Sequence, residues 1–209
     1  MYIYLHILMH MYYLTQMIIL DIEVIFDGLD ESVATLYKHD QRRKEVQGIL
    51  NSRMKRIVEW HDKVIKYLKL VSNIYGPILV YQITCSSFAI SIMVYQIAEK
   101  FEHGFFDLLM VALCISCTAQ IFLPCFLGTL IQNKSYEIGD AFFYSGWEGN
   151  RLAPLIRNDI VMVMCRTQQP LSIKFTGVPI VSIQTFSSIM STAYTYFNLL
   201  RQYSHAKER

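Results

Sequence analysis

Six polar side chains recur at helical spacing in the last apolar stretch of the chain, from Val178 to Gln202. The intervals between them are four, three, four, three and four residues, so a helix would align them in one stripe. These residues are Gln184, Ser188, Ser191, Thr195, Asn198 and Gln202. Hydrocarbon tolerates such a stripe only where it faces protein or water. The stripe therefore indicates either a seam of interhelical hydrogen bonds or a water-lined path for ions, and the segment alone leaves both open.

Other clusters of reactive residues give no sign of a reaction centre. Cys114 and Cys117 form a CxxC spacing, but they lie in an apolar run without a histidine at ligand spacing, which favours ordinary packing. His6 and His10 are four residues apart without a cysteine or carboxylate nearby, so we interpret them as membrane-interface residues. The sequence shows no nucleotide-binding motif, no acid–base pair and no basic run interleaved with aromatics. We therefore predict a protein that is not an enzyme, with no cofactor, no metal and no nucleic-acid partner.

The apolar composition of the chain is typical of a membrane protein. Apolar residues make up 53% of the 209, above the roughly 45–50% of an ordinary soluble domain. The excess is concentrated in four runs of about 20 residues or more, each long enough to cross about 30 Å of hydrocarbon as a helix. The runs are residues 1–20, 74–98, 105–132 and 178–202. The first run lacks the basic start and small-residue cleavage site of a signal peptide, so we interpret it as a retained helix. The sequence predicts an all-α membrane protein with four transmembrane helices in a lipid bilayer.

Two amphipathic segments separate these runs. In residues 21–73, apolar side chains recur every three or four positions over about seven turns, and ten lysines and arginines lie between Lys38 and Lys69. Residues 135–168 form the second segment, which carries a shorter apolar stripe. Basic residues favour the cytoplasmic side of a membrane, so we predict that both segments are cytosolic helices. With four crossings, the C-terminus would then lie outside the cell.

Two stretches near the end of the chain resemble the insect odorant receptor family. Residues 144–177 read YSGWEGNRLAPLIRNDIVMVMCRTQQPLSIKFTG, which is similar to the region before the pore in that family. The phrase that closes the helix of this region is supplied here by Arg166, Gln168, Pro170 and Leu171. The stretch STAYTYFNLLRQ resembles the family's last helix. Its Ser/Thr-Tyr-x-x-Leu-Leu pattern is supplied by Thr195, Tyr196, Leu199 and Leu200.

The resemblance implies an olfactory receptor subunit that forms an odorant-gated, non-selective cation channel. Such subunits have seven membrane helices, bind small volatile hydrophobic ligands and assemble with an odorant co-receptor as heterotetramers. They reside in the plasma membrane of sensory neuron dendrites with an extracellular C-terminus. The four runs would be the last four helices of a subunit, and the cytosolic extensions would form an anchor domain.

The resemblance also assigns roles on the last helix. Leu199 falls at the hydrophobic constriction of the pore, and Gln202 falls at the polar position one turn beyond it. The pore-lining positions would be Gln184, Ser188, Ser191, Thr195 and Asn198. Arg201 departs from the uncharged pattern of a pore mouth, so it must face away from the pore or weaken cation flow.

Two alternatives accompany this interpretation. The chain corresponds to about half of a typical member, so the first three helices and much of the odorant pocket would be absent. Tyr2, Tyr4 and Met9 are residue types that suit a pocket wall, but the ligand contacts are unknown. The spacing from Thr195-Tyr196 to Gln202-Tyr203 also fits gustatory receptors, although residues 144–177 favour the olfactory branch. A non-conducting or inactive membrane fragment is the remaining alternative.

Overall fold

The computed structural model describes residues 2–169, 171 and 181–207, and these contain helices and turns but no strand. The helices are α1 (Tyr2–Glu23), α2 (Gln41–Glu102), α3 (Leu108–Tyr144), α4 (Arg157–Thr167) and α5 (Ile183–Lys207), with short 3-10 turns at Glu31–Thr35 and Ala153–Leu155. The predicted all-α fold is confirmed. Pro170 and residues 172–180, which belong to the odorant-receptor-like stretch and to the start of the predicted run 178–202, lie outside the described residues.

Three of the described helices, α1, α2 and α3, are long and apolar enough to cross a membrane. Helix α5 is not among them because its polar stripe lowers its average hydropathy. Two predicted segment boundaries, at residues 73 and 132, lie inside continuous helices. Helix α2 joins the basic amphipathic segment to the run 74–98 and contains Pro77. Helix α3 contains Pro124 and continues past residue 132 to Tyr144. The number of membrane crossings remains a prediction.

The turn between α2 and α3 is held by local hydrogen bonds. Gly104 adopts a left-handed conformation with φ of 79°, and the amide of Phe105 donates to the carbonyl of Lys100 at 2.9 Å. This pattern closes a helix at its C-terminus and favours glycine at that position. Asp107 then accepts from the amide of Met110 at 3.2 Å, which caps the first turn of α3. The short polar link thus ends one helix and starts the next within a few residues.

The chain divides into two compact units. One unit comprises Met1–Leu5, Leu70–Thr129 and Ile173–Arg209, and the other comprises His6–Lys69 and Leu130–Ser172. The second unit contains α4 and the basic half of α2, where Leu50, Ile57 and Val64 are buried as their spacing predicts. The first unit contains α5 and the segments of α2 and α3 that support it.

Arg53 fixes the end of α1 inside the second unit. One nitrogen of its guanidinium lies 3.0, 2.8 and 2.9 Å from the carbonyl oxygens of Val24, Ile25 and Asp27, which share its two protons. These carbonyls belong to the turn that follows α1, and a cation at the C-terminal end of a helix also interacts favourably with the helix dipole. Arg53 on α2 therefore satisfies the backbone where α1 terminates.

We expect Arg53→Ala to destabilise the protein by about 1–3 kcal/mol, since it leaves the carbonyls of the turn after α1 without their charged donor. The neighbouring substitution Lys55→Ala is the matched control. Lys55 is 78% exposed and makes one ion pair with Glu59, so its loss should cost about 0–0.5 kcal/mol. The thermal unfolding of the detergent-solubilised protein measures both changes. Equal melting temperatures for the two variants would contradict the capping role of Arg53.

Candidate functional site

The polar stripe predicted from the sequence lies on an exposed side of α5. Gln184, Ser188, Ser191, Thr195 and Gln202 are exposed, and Asn198 is half-buried. Leu199 at the C-terminal end of the stripe is 55% exposed, which is unusual for a leucine that only fills a core. None of these side chains is buried by the rest of the chain. The stripe is therefore a surface of the single chain.

The side of α5 that packs within its unit is a different one. Thr185 and Ala193 are buried, with 8% and 3% of their surface exposed, and the half-buried Ile189 lies midway between them. Residues four apart lie on one face of a helix, whereas Ser191 and Asn198 project from the opposite side. Helix α5 thus has a small-residue packing face and a polar face, and they point in opposite directions.

Two of the three hydroxyl groups of the stripe donate to the backbone of α5 itself. Ser188 Oγ donates to the carbonyl of Gln184 at 3.1 Å, and Thr195 Oγ1 donates to the carbonyl of Ser191 at 3.0 Å. Each hydroxyl oxygen keeps lone pairs that can accept further hydrogen bonds. Among the described residues, the stripe forms no hydrogen bond to another helix. Within the described residues, this face of the single chain therefore contributes to no hydrogen-bonded seam with another helix.

A hydrogen-bonded seam does exist, but it lies on the packing face and was missed by sequence analysis. Ser91 Oγ on α2 lies 3.0 Å from the carbonyl oxygen of Ala193 and 2.9 Å from that of Ser87, and its single proton is shared between them. Ser87 and Ser91 are both buried. Small side chains let the two backbones approach closely, as is usual where membrane helices pack. The available sequence signal was the pair of serines four residues apart in the run 74–98.

The start of α5 is held against α3. The amide of Ile183 donates to Thr129 Oγ1 at 2.9 Å, so a side chain of α3 satisfies one of the unpaired amides at the helix N-terminus. Gly128 allows this approach, because a Cβ at that position would lie 2.3 Å from the carbonyl oxygen of Val181. Phe122 and Phe186 form an edge-to-face aromatic contact at 5.4 Å between the same two helices.

The C-terminal end of α5 is tied to the end of α2. Arg201 Nη2 lies 2.9 Å from Glu102 Oε1, and both side chains are about half exposed. On a helical wheel Arg201 is about 100° from Gln202, so it projects from the flank of α5 and not along the stripe. The residue that departs from the expected uncharged pattern is therefore ion-paired at the edge of the helix.

The remaining candidate residues give no second site. Tyr4 is buried with its ring centroid 5.1 Å from that of Tyr75, whereas Tyr2 is exposed and Met9 is half-buried. His6 and His10 are exposed, and the described residues contain no group of three side chains that could hold a metal ion. Cys114 and Cys117 are half-buried free thiols. The three proposed pocket-wall residues thus differ in burial, and their role in ligand binding stays a prediction.

We expect Thr129→Val to destabilise the protein by about 1–2 kcal/mol, because it removes the acceptor for the amide of Ile183 while preserving side-chain volume. Thr118→Val is the matched control on the same helix. Both threonines donate to the carbonyl four residues before them, but Thr118 has no contact of this kind with α5. Thermal unfolding and protease sensitivity near residue 183 report the difference. Identical behaviour of the two variants would show that Thr129 does not hold the start of α5.

Comparison with known proteins gives concordant results. A family model described as 7tm Odorant receptor matches residues 2–194. Odorant receptor 13a of Drosophila melanogaster is 28% identical over 186 residues, which cover 84% of this chain and 44% of that relative. The odorant receptor coreceptor of Anopheles gambiae is 24% identical over 163 residues, covering 77% of this chain and 33% of that protein. The chain spans less than half the length of these curated relatives.

A solved structure shares the fold. The insect olfactory receptor OR5 from Machilis hrabei, determined in complex with eugenol, superposes with a TM-score of 0.62 and 16% sequence identity. The superposition covers 95% of this chain and 67% of that receptor chain. The chain therefore shares the all-helical fold of that receptor.

Proposed function

This chain belongs to the odorant receptor family, and from that membership we propose that it is an olfactory receptor subunit of an odorant-gated, non-selective cation channel. The observation that carries the proposal is the two-sided character of α5. Its small-residue face packs within the chain, and its polar face is left exposed. Several subunits arranged around a common axis would turn the exposed faces toward each other and enclose a water-filled path. In a multi-pass membrane protein, polar side chains that face lipid are energetically unfavourable.

The chemistry of the stripe suits weakly selective cation flow. Hydroxyl and amide oxygens can replace part of the hydration shell of a cation without binding it tightly. The back-bonded hydroxyls of Ser188 and Thr195 present their oxygen lone pairs outward while their protons stay on the helix. The six stripe positions, Gln184, Ser188, Ser191, Thr195, Asn198 and Gln202, carry no formal charge. A path lined in this way would discriminate little among monovalent cations.

Leu199 is the proposed gate. Its side chain is exposed next to the polar stripe, and a ring of such leucines would exclude hydrated ions by dewetting until the ring widens. Gln202 is three residues further along α5 and would accept the ions beyond the constriction. The exposed leucine and the neighbouring polar residues would then have complementary roles.

The partners follow from the family. Curated relatives include odorant receptor co-receptors, which supports assembly with co-receptor subunits in a heterotetramer at the plasma membrane of sensory neurons. Segments 21–73 and 135–168 would form the cytosolic anchor that holds the subunits together, and the C-terminus would be extracellular. The ligand would be a small volatile hydrophobic molecule. The match to the odorant receptor model favours this proposal over a gustatory receptor subunit.

Thiol accessibility tests whether the stripe is wet. Ser188→Cys, Thr195→Cys and Asn198→Cys should react with water-soluble, charged thiol reagents when the protein, expressed from its complete reading frame, is assembled with the co-receptor. Ala193→Cys on the packing face is the matched control and should stay unmodified, since that position is buried. Modification should reduce odorant-evoked current at the stripe positions. If all four cysteines resist the reagent, the stripe is a dry interface between subunits and the protein does not conduct along it.

Leu199→Ala should raise the current that flows without odorant, because a smaller side chain weakens the hydrophobic barrier. We expect an increase on the order of fivefold, the equivalent of about 1 kcal/mol in the open–closed equilibrium. Leu200→Ala removes the same atoms from the adjacent position, which points about 160° away from the stripe on a helical wheel. Whole-cell recording in matched expressing cells compares the two. An equal effect of both substitutions would argue against Leu199 as the gate.

A further inference from the structure

Arg201 is the only charged residue of α5 between Ile183 and Gln202. It follows the proposed gate by two positions and precedes the last polar residue of the stripe by one. A fixed positive charge at this place should repel cations from the proposed path, and a low-dielectric wall would strengthen the repulsion. A cation-conducting subunit that keeps this arginine therefore needs something to offset its charge.

Glu102 is placed to do so. It is the last residue of α2, and its carboxylate lies 2.9 Å from the guanidinium of Arg201. The neighbouring charges do not compete for it. Lys100 is paired with Asp107 at 2.7 Å, across the turn that joins α2 and α3. Among the described residues, Arg201 is thus the ionic partner of Glu102, and the pair links positions 99 residues apart in the chain.

The direction of Arg201 matters as much as its charge. The residue projects from the flank of α5, about 100° from Gln202 and about 160° from Leu199 around the helix axis. An arginine side chain is long and flexible, and an exposed ion pair contributes little to overall stability. The contact with Glu102 therefore has a small energetic effect on folding. Its larger effect is on where the guanidinium lies and on the field at the end of the stripe.

We propose that Glu102 is a positioning residue for ion conduction, which holds the Arg201 guanidinium on the flank of α5 and offsets its charge so that cations can pass the C-terminal end of the stripe. The inference rests on the proposed channel function. It assigns to the link between α2 and α3 a part in conductance, in addition to its part in joining two helices.

Charge neutralisation in three combinations tests the proposal. Glu102→Gln, Arg201→Gln and the double variant are each expressed from the complete reading frame with the co-receptor, and unitary currents are recorded with an odorant panel that contains eugenol. Glu102→Gln should lower the unitary cation current about two- to fivefold at low ionic strength, because the arginine charge is then uncompensated. Arg201→Gln should leave the current unchanged or raise it. The double variant should behave as Arg201→Gln does, which is a rescue of the Glu102 defect.

Salt dependence and a matched control separate this role from a structural one. The defect of Glu102→Gln should shrink as ionic strength rises from about 0.01 to 1 M, since screening shortens the reach of the charge from about 30 to about 3 Å. Glu99→Gln removes the same charge one turn earlier on α2. Glu99 is exposed and has no ion pair in the described part of the chain, so no rescue by Arg201→Gln is expected.

Three results would overturn the inference or its basis. Equal loss of current in both single variants, without rescue in the double variant, would reduce the pair to a structural tether. Unchanged unitary current in Glu102→Gln would remove any role in conduction. Absence of current in the unsubstituted receptor with its co-receptor would instead contradict the proposed function itself.

Discussion

Hydrocarbon offers no hydrogen-bond partner, and the proposed membrane crossing of α5 would depend on that constraint. Every polar group placed in such a medium must be satisfied by the protein or by enclosed water. The chain meets the requirement in three ways on one helix. Thr129 accepts from the amide that begins α5, Ser91 donates to a carbonyl in its middle, and the hydroxyls of Ser188 and Thr195 donate to their own backbone. The remaining polar groups of α5 are the hydroxyl lone pairs and side-chain amides of the stripe, which face out of the chain.

The same constraint explains why α2 and α3 approach α5 closely only at particular positions. Membrane helices lack a strong hydrophobic drive to associate with one another, so contact area and interhelical hydrogen bonds decide where they pack. Gly128 and Ala193 remove bulk where α3 and α2 meet α5, and the aromatic contact of Phe122 with Phe186 fills the space beside them. Exposed large apolar residues elsewhere on these helices, such as Leu113 and Ile115, suit a surface that lipid or another subunit covers.

The spacing of residues within one segment predicted which of them share a face of a helix. Contacts between distant segments could not be predicted in this way. The apolar face of the basic half of α2 and the polar stripe of α5 both follow from spacing, because a helix maps sequence intervals directly onto directions. The continuity of α2 past residue 73 was not predicted, since the change in composition there suggested two segments. The Ser91 seam was also missed, because two serines four residues apart do not by themselves identify a partner carbonyl on another helix. The Arg201–Glu102 pair joins residues from different helices, and nothing in the local sequence of either one indicates the other.

The separation of the two faces of α5 also bears on how such receptors can diverge. Substitutions at sites that share no contacts have nearly additive effects on stability. Side chains on the exposed face, such as that of Ser191, take no part in the hydrogen bonds of Ser91 and Thr129 with α5, so their replacement leaves those bonds in place. In the proposed channel, substitutions along that face would alter ion passage without loosening the hydrogen bonds that hold α5. Substitutions on the packing face would disturb those bonds, so the proposed pore wall could diverge faster than the packing that supports it.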